Sequence, residues 1–70
     1  MTYRVVYYST KHYRNLVVIV NAHCLSEVLE KAQKQAGISD NQTVSVYEGV
    51  KPYTLIYVGT IGDFKNGNCI

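Results

Sequence analysis

Hydrophobic and polar positions change period twice along this chain. From Thr2 to Ser9 (Thr-Tyr-Arg-Val-Val-Tyr-Tyr-Ser) β-branched and aromatic residues dominate, which is strand composition. Polar residues from Ser9 to Arg14 interrupt the run. Asn15 to Asn21 then encloses Leu16-Val17-Val18-Ile19-Val20, the strongest strand signal present. About five residues separate the two segments, so a β-hairpin is expected.

From Leu25 the period becomes helical. Leu25, Val28, Leu29, Ala32 and Ala36 form one stripe, with Ser26, Glu27, Glu30, Lys31, Gln33 and Lys34 on the other side. Glu27–Lys31 and Glu30–Lys34 are i,i+4 pairs in the favourable order. Acids early and lysines late also suit the helix dipole. Gly37 is the expected left-handed residue that ends the helix, which the pattern places at about 24–36. Asn21, His23 and Ser26 are its candidate N-caps.

A polar connection, Ile38 to Gln42, leads back to strand periodicity in Thr43–Glu48, where Val44 and Val46 alternate with Ser45 and Tyr47. Gly49-Val50-Lys51-Pro52 reads as a turn, and Tyr53 to Gly59 as a fourth strand. Gly62, Asp63 and Lys65-Asn66-Gly67-Asn68 read as a turn-rich tail that frays beyond Phe64. The expected fold class is therefore α+β, a two-layer ββαββ domain. Two hairpins form an antiparallel sheet with one amphipathic helix on one face. Residues 1–70 make a single domain with its core in about 2–60 and a frayed tail at about 65–70.

One helix covers one sheet face, yet the strands carry large side chains on both. If Val44, Val46, Ile56 and Val58 meet the helix stripe, then Ser45, Tyr47, Tyr53, Leu55 and Tyr57 point away from it. In the first strand Tyr3, Val5 and Tyr7 share one side and Arg4, Val6 and Tyr8 the other, with no choice between them. Seven tyrosines stand against one phenylalanine and no tryptophan, and tyrosine suits a surface that is half wet. Strand-filling tyrosines, a binding or dimerisation surface, and a platform for base stacking are the three readings. The aromatics do not follow the motif of RNA-recognition modules, and the element order differs from theirs.

Composition narrows the chemistry further. At 70 residues and 47% hydrophobic the chain is one ordinary foldable unit, and at this size a core rarely supplies more than about 3–5 kcal/mol net. Oligomerisation or binding to a larger partner is the usual remedy. No apolar run approaches about 18 residues, so no membrane span is expected, and the first residues lack the apolar core of a signal peptide. Net charge is +2, small for a dedicated nucleic-acid binder. Lys11-His12-Tyr13-Arg14 in the first hairpin loop interleaves cations with an aromatic, which suits phosphates or an acidic protein surface. Its alternative is a solvated loop that blunts an edge.

His12 and His23 have no partner at ligand spacing, so neither a metal site nor a cofactor is expected. Cys24, near the helix start, is read as a small buried thiol, although that position also favours a lowered pKa. Cys69 falls in the tail. Asp63 and Glu48 do not form an acid–base pair, and no catalytic residue is expected.

In layout, the chain resembles small phage-encoded proteins, among them anti-CRISPR inhibitors of CRISPR surveillance complexes. The residues that carry the likeness are Val20-Asn21-Ala22-His23-Cys24-Leu25-Ser26-Glu27, where strand runs into helix, then Tyr53–Gly59 and the short end from Lys65 to Cys69. The likeness is one of architecture and covers most of the chain. It implies a non-enzymatic inhibitor in the host cytoplasm that covers a protein subunit or a nucleic-acid groove. The partner-binding residues expected from the tyrosine face and basic loop are Tyr7, Lys11, Tyr13, Arg14, Tyr47, Tyr53 and Tyr57. Their partner is a host protein or ribonucleoprotein complex. The alternatives are a small nucleic-acid-binding protein and a homo-oligomer, such as a homodimer, that holds a small ligand between subunits.

Overall fold

The computed structural model describes residues 1–49 and 51–65. Val50 of the expected turn, and the tail from residue 66 with Cys69, lie outside the described residues. Strands β1 (Thr2–Ser9) and β2 (Arg14–Asn21) are followed by helix α1 (Leu25–Ala36), strands β3 (Thr43–Glu48) and β4 (Thr54–Thr60), and a short helix α2 (Ile61–Lys65). All four strands form one antiparallel sheet in the order β2-β1-β3-β4. The ββαββ order and the two-layer α+β architecture are those expected from the sequence.

β1 and β2 pair without interruption from Thr2↔Asn21 to Ser9↔Arg14. The turn between them is held from inside. Buried Ser9 accepts a hydrogen bond at Oγ from the His12 backbone N–H at 3.2 Å, and its hydroxyl also meets His12 Nδ1 at 3.0 Å. Tyr13 closes the turn at φ 56, in the left-handed region.

α1 begins after extended Cys24, whose side chain makes no cap. None of the three candidate caps fills that role. The Glu27 carboxylate instead turns back to accept the His23 backbone N–H, one residue before the N-cap, at 2.8 Å and pairs with Lys31 at 3.3 Å. At the other end Gly37 takes φ 68 and donates its N–H to the Gln33 carbonyl at 2.8 Å. A residue with a Cβ would be strained there.

Val28, Leu29 and Ala32 are buried, with Leu25 and Ala36 packed against the same cluster. Val5, Val20, Val44 and Val46 supply its sheet side. α1 approaches β2 more closely than the other strands, so it cannot roof β4. That space is filled by Tyr57, Ile61 and Phe64.

The filling of the β4 side corrects the expected facing of this strand. Register shifts between Val46↔Tyr57 and Tyr47↔Leu55, which leaves Ile56 as an extra residue on β4. Such a bulge resets alternation. Tyr57 therefore points inward with 8% exposure, while Ile56 and Val58, expected inside, are exposed. The Tyr57 hydroxyl donates to the Thr60 carbonyl at 2.6 Å, and its ring meets Phe64 edge-on at 5.7 Å. A Cβ at Gly59 would lie 2.9 Å from that hydroxyl, so glycine makes room for the tyrosine.

The end of the core also lies further along the chain than expected. Ile61 is fully buried and Phe64 packs on the core, so these two side chains extend the core past residue 60. α2 is tied to the loop after α1. Gly62 N–H donates to the Asp40 carbonyl at 2.9 Å, Thr60 Oγ1 accepts Asp63 N–H at 3.0 Å, and Lys65 pairs with Asp40 at 3.1 Å.

Candidate functional site

The sheet surface away from α1 is the largest chemically distinctive feature. Register assigns its residues. Val17 pairs with Val6, Val6 with Ser45, and Ser45 with Val58, giving one row across all four strands. A second row runs Ile19, Arg4, Tyr47, Leu55. Exposure of Val17, Ile19, Leu55, Ile56 and Val58 lies between 37% and 58%. Exposed aliphatic side chains thus occupy both flanks of the face, and half-buried Arg4, Val6, Ser45 and Tyr47 occupy its middle.

Arg4 organises that middle. Its guanidinium carbon stands 4.5 Å from the centroid of the Tyr53 ring, a cation–π contact. Tyr47 is its cross-strand neighbour. Both tyrosines are half-buried. Tyr8, 47% exposed, extends the face toward the hairpin end.

The residues expected to act together are separated by the fold. Tyr47 and Tyr53 lie on this face with Arg4. Lys11, Tyr13 and Arg14 are exposed at the β1–β2 turn, with Tyr13 at 81%. That turn begins beyond Ser9, five residues or about 17 Å along the strand from Arg4. Tyr7 and Tyr57 are corrections. Tyr7 shares the side of Val5 and packs against the core, and Tyr57 is within it.

The face gained residues that sequence reasoning had passed over, chiefly Arg4, Tyr8, Val17 and Ile19. A signal for them was present. A charged residue in the middle of a strand excludes its own side from the core, so Arg4 places Val6 and Tyr8 outside and Val5 and Tyr7 inside.

Ionisable groups elsewhere are accounted for by local structure. Cys24 is exposed, which corrects the buried thiol. Its pKa is held below the ordinary thiol value, first by the hydrogen bond with Ser26 Oγ at 3.2 Å and then by backbone N–H groups of the helix start. Burial, and next the Glu48 carboxylate, push the Tyr3 hydroxyl upward. The Gln33 amide, and then Lys65, hold the Asp40 carboxyl below its usual range. His12 is turned back onto Ser9. Among the described residues no three His, Cys, Asp or Glu side chains gather as a metal site, and no helix is long and apolar enough to cross a membrane. A shallow groove between α1 and α2 is lined by Leu29, Gln33, Ile61 and Phe64, with Glu30 and Lys65 at its rim.

No protein-family model, curated protein or solved structure matches the chain.

Proposed function

We propose that this chain is a non-enzymatic binding module that docks a protein partner on its outer sheet face. The observation that supports the reading is the pair of cross-strand rows, with exposed aliphatics on the flanks and Arg4 against Tyr53 between them. A small domain that leaves five branched aliphatic side chains exposed on one side of its sheet carries a patch of the kind that partners cover. Arginine and tyrosine are the residues in which interface energy concentrates. The fitting partner surface is acidic near its centre, opposite Arg4, and apolar opposite the two flanks. Lys11, Tyr13 and Arg14 at the turn would add rim contacts that govern association rate more than affinity.

The layout shared with small phage proteins suggests a host defence complex of the CRISPR type as the first partner to try, met in the host cytoplasm. Binding of purified surveillance complexes and of single-stranded oligonucleotides would be measured by titration at rising salt. Val58→Glu and Arg4→Ala are expected to lower affinity for the protein complex by about 1–3 kcal/mol each. Glu30→Ala on the helix surface is the control and should leave it unchanged. If Glu30→Ala abolishes binding and the sheet variants do not, the helix is the recognition element and the reading fails. If only oligonucleotides bind, with affinity falling steeply against log salt, the outer face is a nucleic-acid platform instead.

A further inference from the structure

We propose that β2 is a homodimerisation edge, pairing antiparallel with β2 of a second copy about a two-fold axis at Val18. The inference concerns the rim of the sheet and does not rest on what binds its outer face.

The two edges of the sheet are built differently. β4 carries the bulge at Ile56, a device that twists an edge away from further pairing. β2 pairs with β1 over its whole length without a bulge, and between Asn15 and Asn21 it contains neither proline nor charge. Long, regular and apolar edges of this kind are templates for another strand. Lys31 Nζ donates to the Asn21 carbonyl at 2.8 Å at the far end of the strand, and Lys34 and Gln35 line a depression there with Ile19 and Asn21.

The occupant follows from the order of the side chains. Asn15-Leu16-Val17-Val18-Ile19-Val20-Asn21 has the same chemical pattern read in either direction from Val18. Antiparallel pairing about that residue sets Asn15 opposite Asn21, Leu16 opposite Val20 and Val17 opposite Ile19. In each pair both side chains fall on the same face, as antiparallel register requires. Leu16 and Val20 would continue the core layer, and Val17 and Ile19 the outer face. A self-complementary patch is what a two-fold contact demands, and a strand from an unrelated protein has no need of this symmetry.

The contact would be modest in size. Seven residues span about 24 Å of strand, and the molecule is 18 Å through its thinnest axis. That gives about 900 Å² in total, near the lower limit for a specific interface. An affinity in the micromolar range is therefore expected, and two copies would share one eight-stranded sheet.

Sedimentation equilibrium over about 10 µM to 1 mM tests the contact in that affinity range. The unmodified chain should pass from monomer to dimer, and Val17→Lys or Ile19→Glu should each weaken the dimer at least tenfold. An equimolar mixture of the two variants should recover it, because the new lysine then faces the new glutamate while the other Val17–Ile19 pair stays apolar. Val58→Lys, on the opposite edge of the sheet, should have no effect. Circular dichroism confirms folding, which these exposed positions should preserve. A monomer throughout the range overturns the proposal. So does equal loss on Val58→Lys, which would indicate two outer faces stacked on one another, or mixed variants that fail to associate, which would exclude this register.

Discussion

Replacing Tyr57 is the most direct measure of how the core is completed beyond the reach of α1. Tyr57→Ala removes a ring with 8% exposure, its edge-on contact with Phe64 and its hydroxyl bond to Thr60. Truncating a buried aromatic typically costs about 3–5 kcal/mol, because the cavity collapses only in part. A domain of this length has about 3–5 kcal/mol of net stability from its core, so the variant should be largely unfolded at 25 °C. Tyr57→Phe separates the terms. It keeps the ring and removes the hydroxyl, leaving the Thr60 carbonyl without that donor, for a cost of about 0.5–1.5 kcal/mol. Urea unfolding followed by circular dichroism should give a Tyr57→Phe midpoint below the parent, with unchanged slope, and little or no folded baseline for Tyr57→Ala. If Tyr57→Ala instead melts with the parent, the ring faces solvent and β4 keeps an unbroken register past Ile56.

Leu29→Ala, at a position with 2% exposure, should cost about 2–5 kcal/mol, and a parent-like unfolding midpoint would disprove the packing of α1 on the sheet. The domain should also lose stability in acid. Asp40 and Glu27 both have folded pKa values below their unfolded ones, Asp40 through Gln33 and then Lys65, Glu27 through the His23 N–H and then Lys31. Their stabilisation is present above the unfolded carboxylate range, near pH 4, and is lost as pH falls through the depressed folded values. Urea midpoints measured from about pH 6 to pH 2 should fall less steeply for Asp40→Asn/Glu27→Gln than for the parent, and parallel curves would remove these two groups as the cause.

How legible these features were in the sequence depended on the range of the interactions that set them. α1 and its glycine stop are written in i,i+3 and i,i+4 spacing and in one left-handed position. Both are local, and both were read. Pairing between β1 and β2 was legible because a short polar turn joins two strand-like runs. The facing of β4 was not, since alternation assumes an unbroken register, and one extra residue at Ile56 inverted the inference for Tyr57 and Val58. α2 was hidden for a different reason. Its five residues include Gly62 and Asp63, poor helix formers whose placement depends on Asp40 and Thr60. Of the candidate site, Tyr47 was legible from the alternation of β3, whereas Tyr53 precedes β4 and is placed by its contact with Arg4. Arg4 was overlooked as a centre because its partner Tyr53 comes from the far end of the chain.

Placing β1 inside the sheet has a consequence for the order of assembly during synthesis. β1 emerges first and finds β2 at once, but its other side waits for β3, where Tyr7 meets Val44 and Tyr3 meets Glu48. Until then the nascent hairpin presents Val5 and Tyr7 without their cover, and α1 is made before Val44 and Val46 complete the core cluster it belongs to. The loop that must close between β1 and β3 contains both β2 and α1, so the rate-limiting contact is expected to be non-local even in so short a chain. A ribosome-stalled chain ending before β3 should therefore hold a hairpin and a fluctuating helix, and cooperative folding should begin only once β3, Tyr57 and Ile61 have all cleared the exit tunnel.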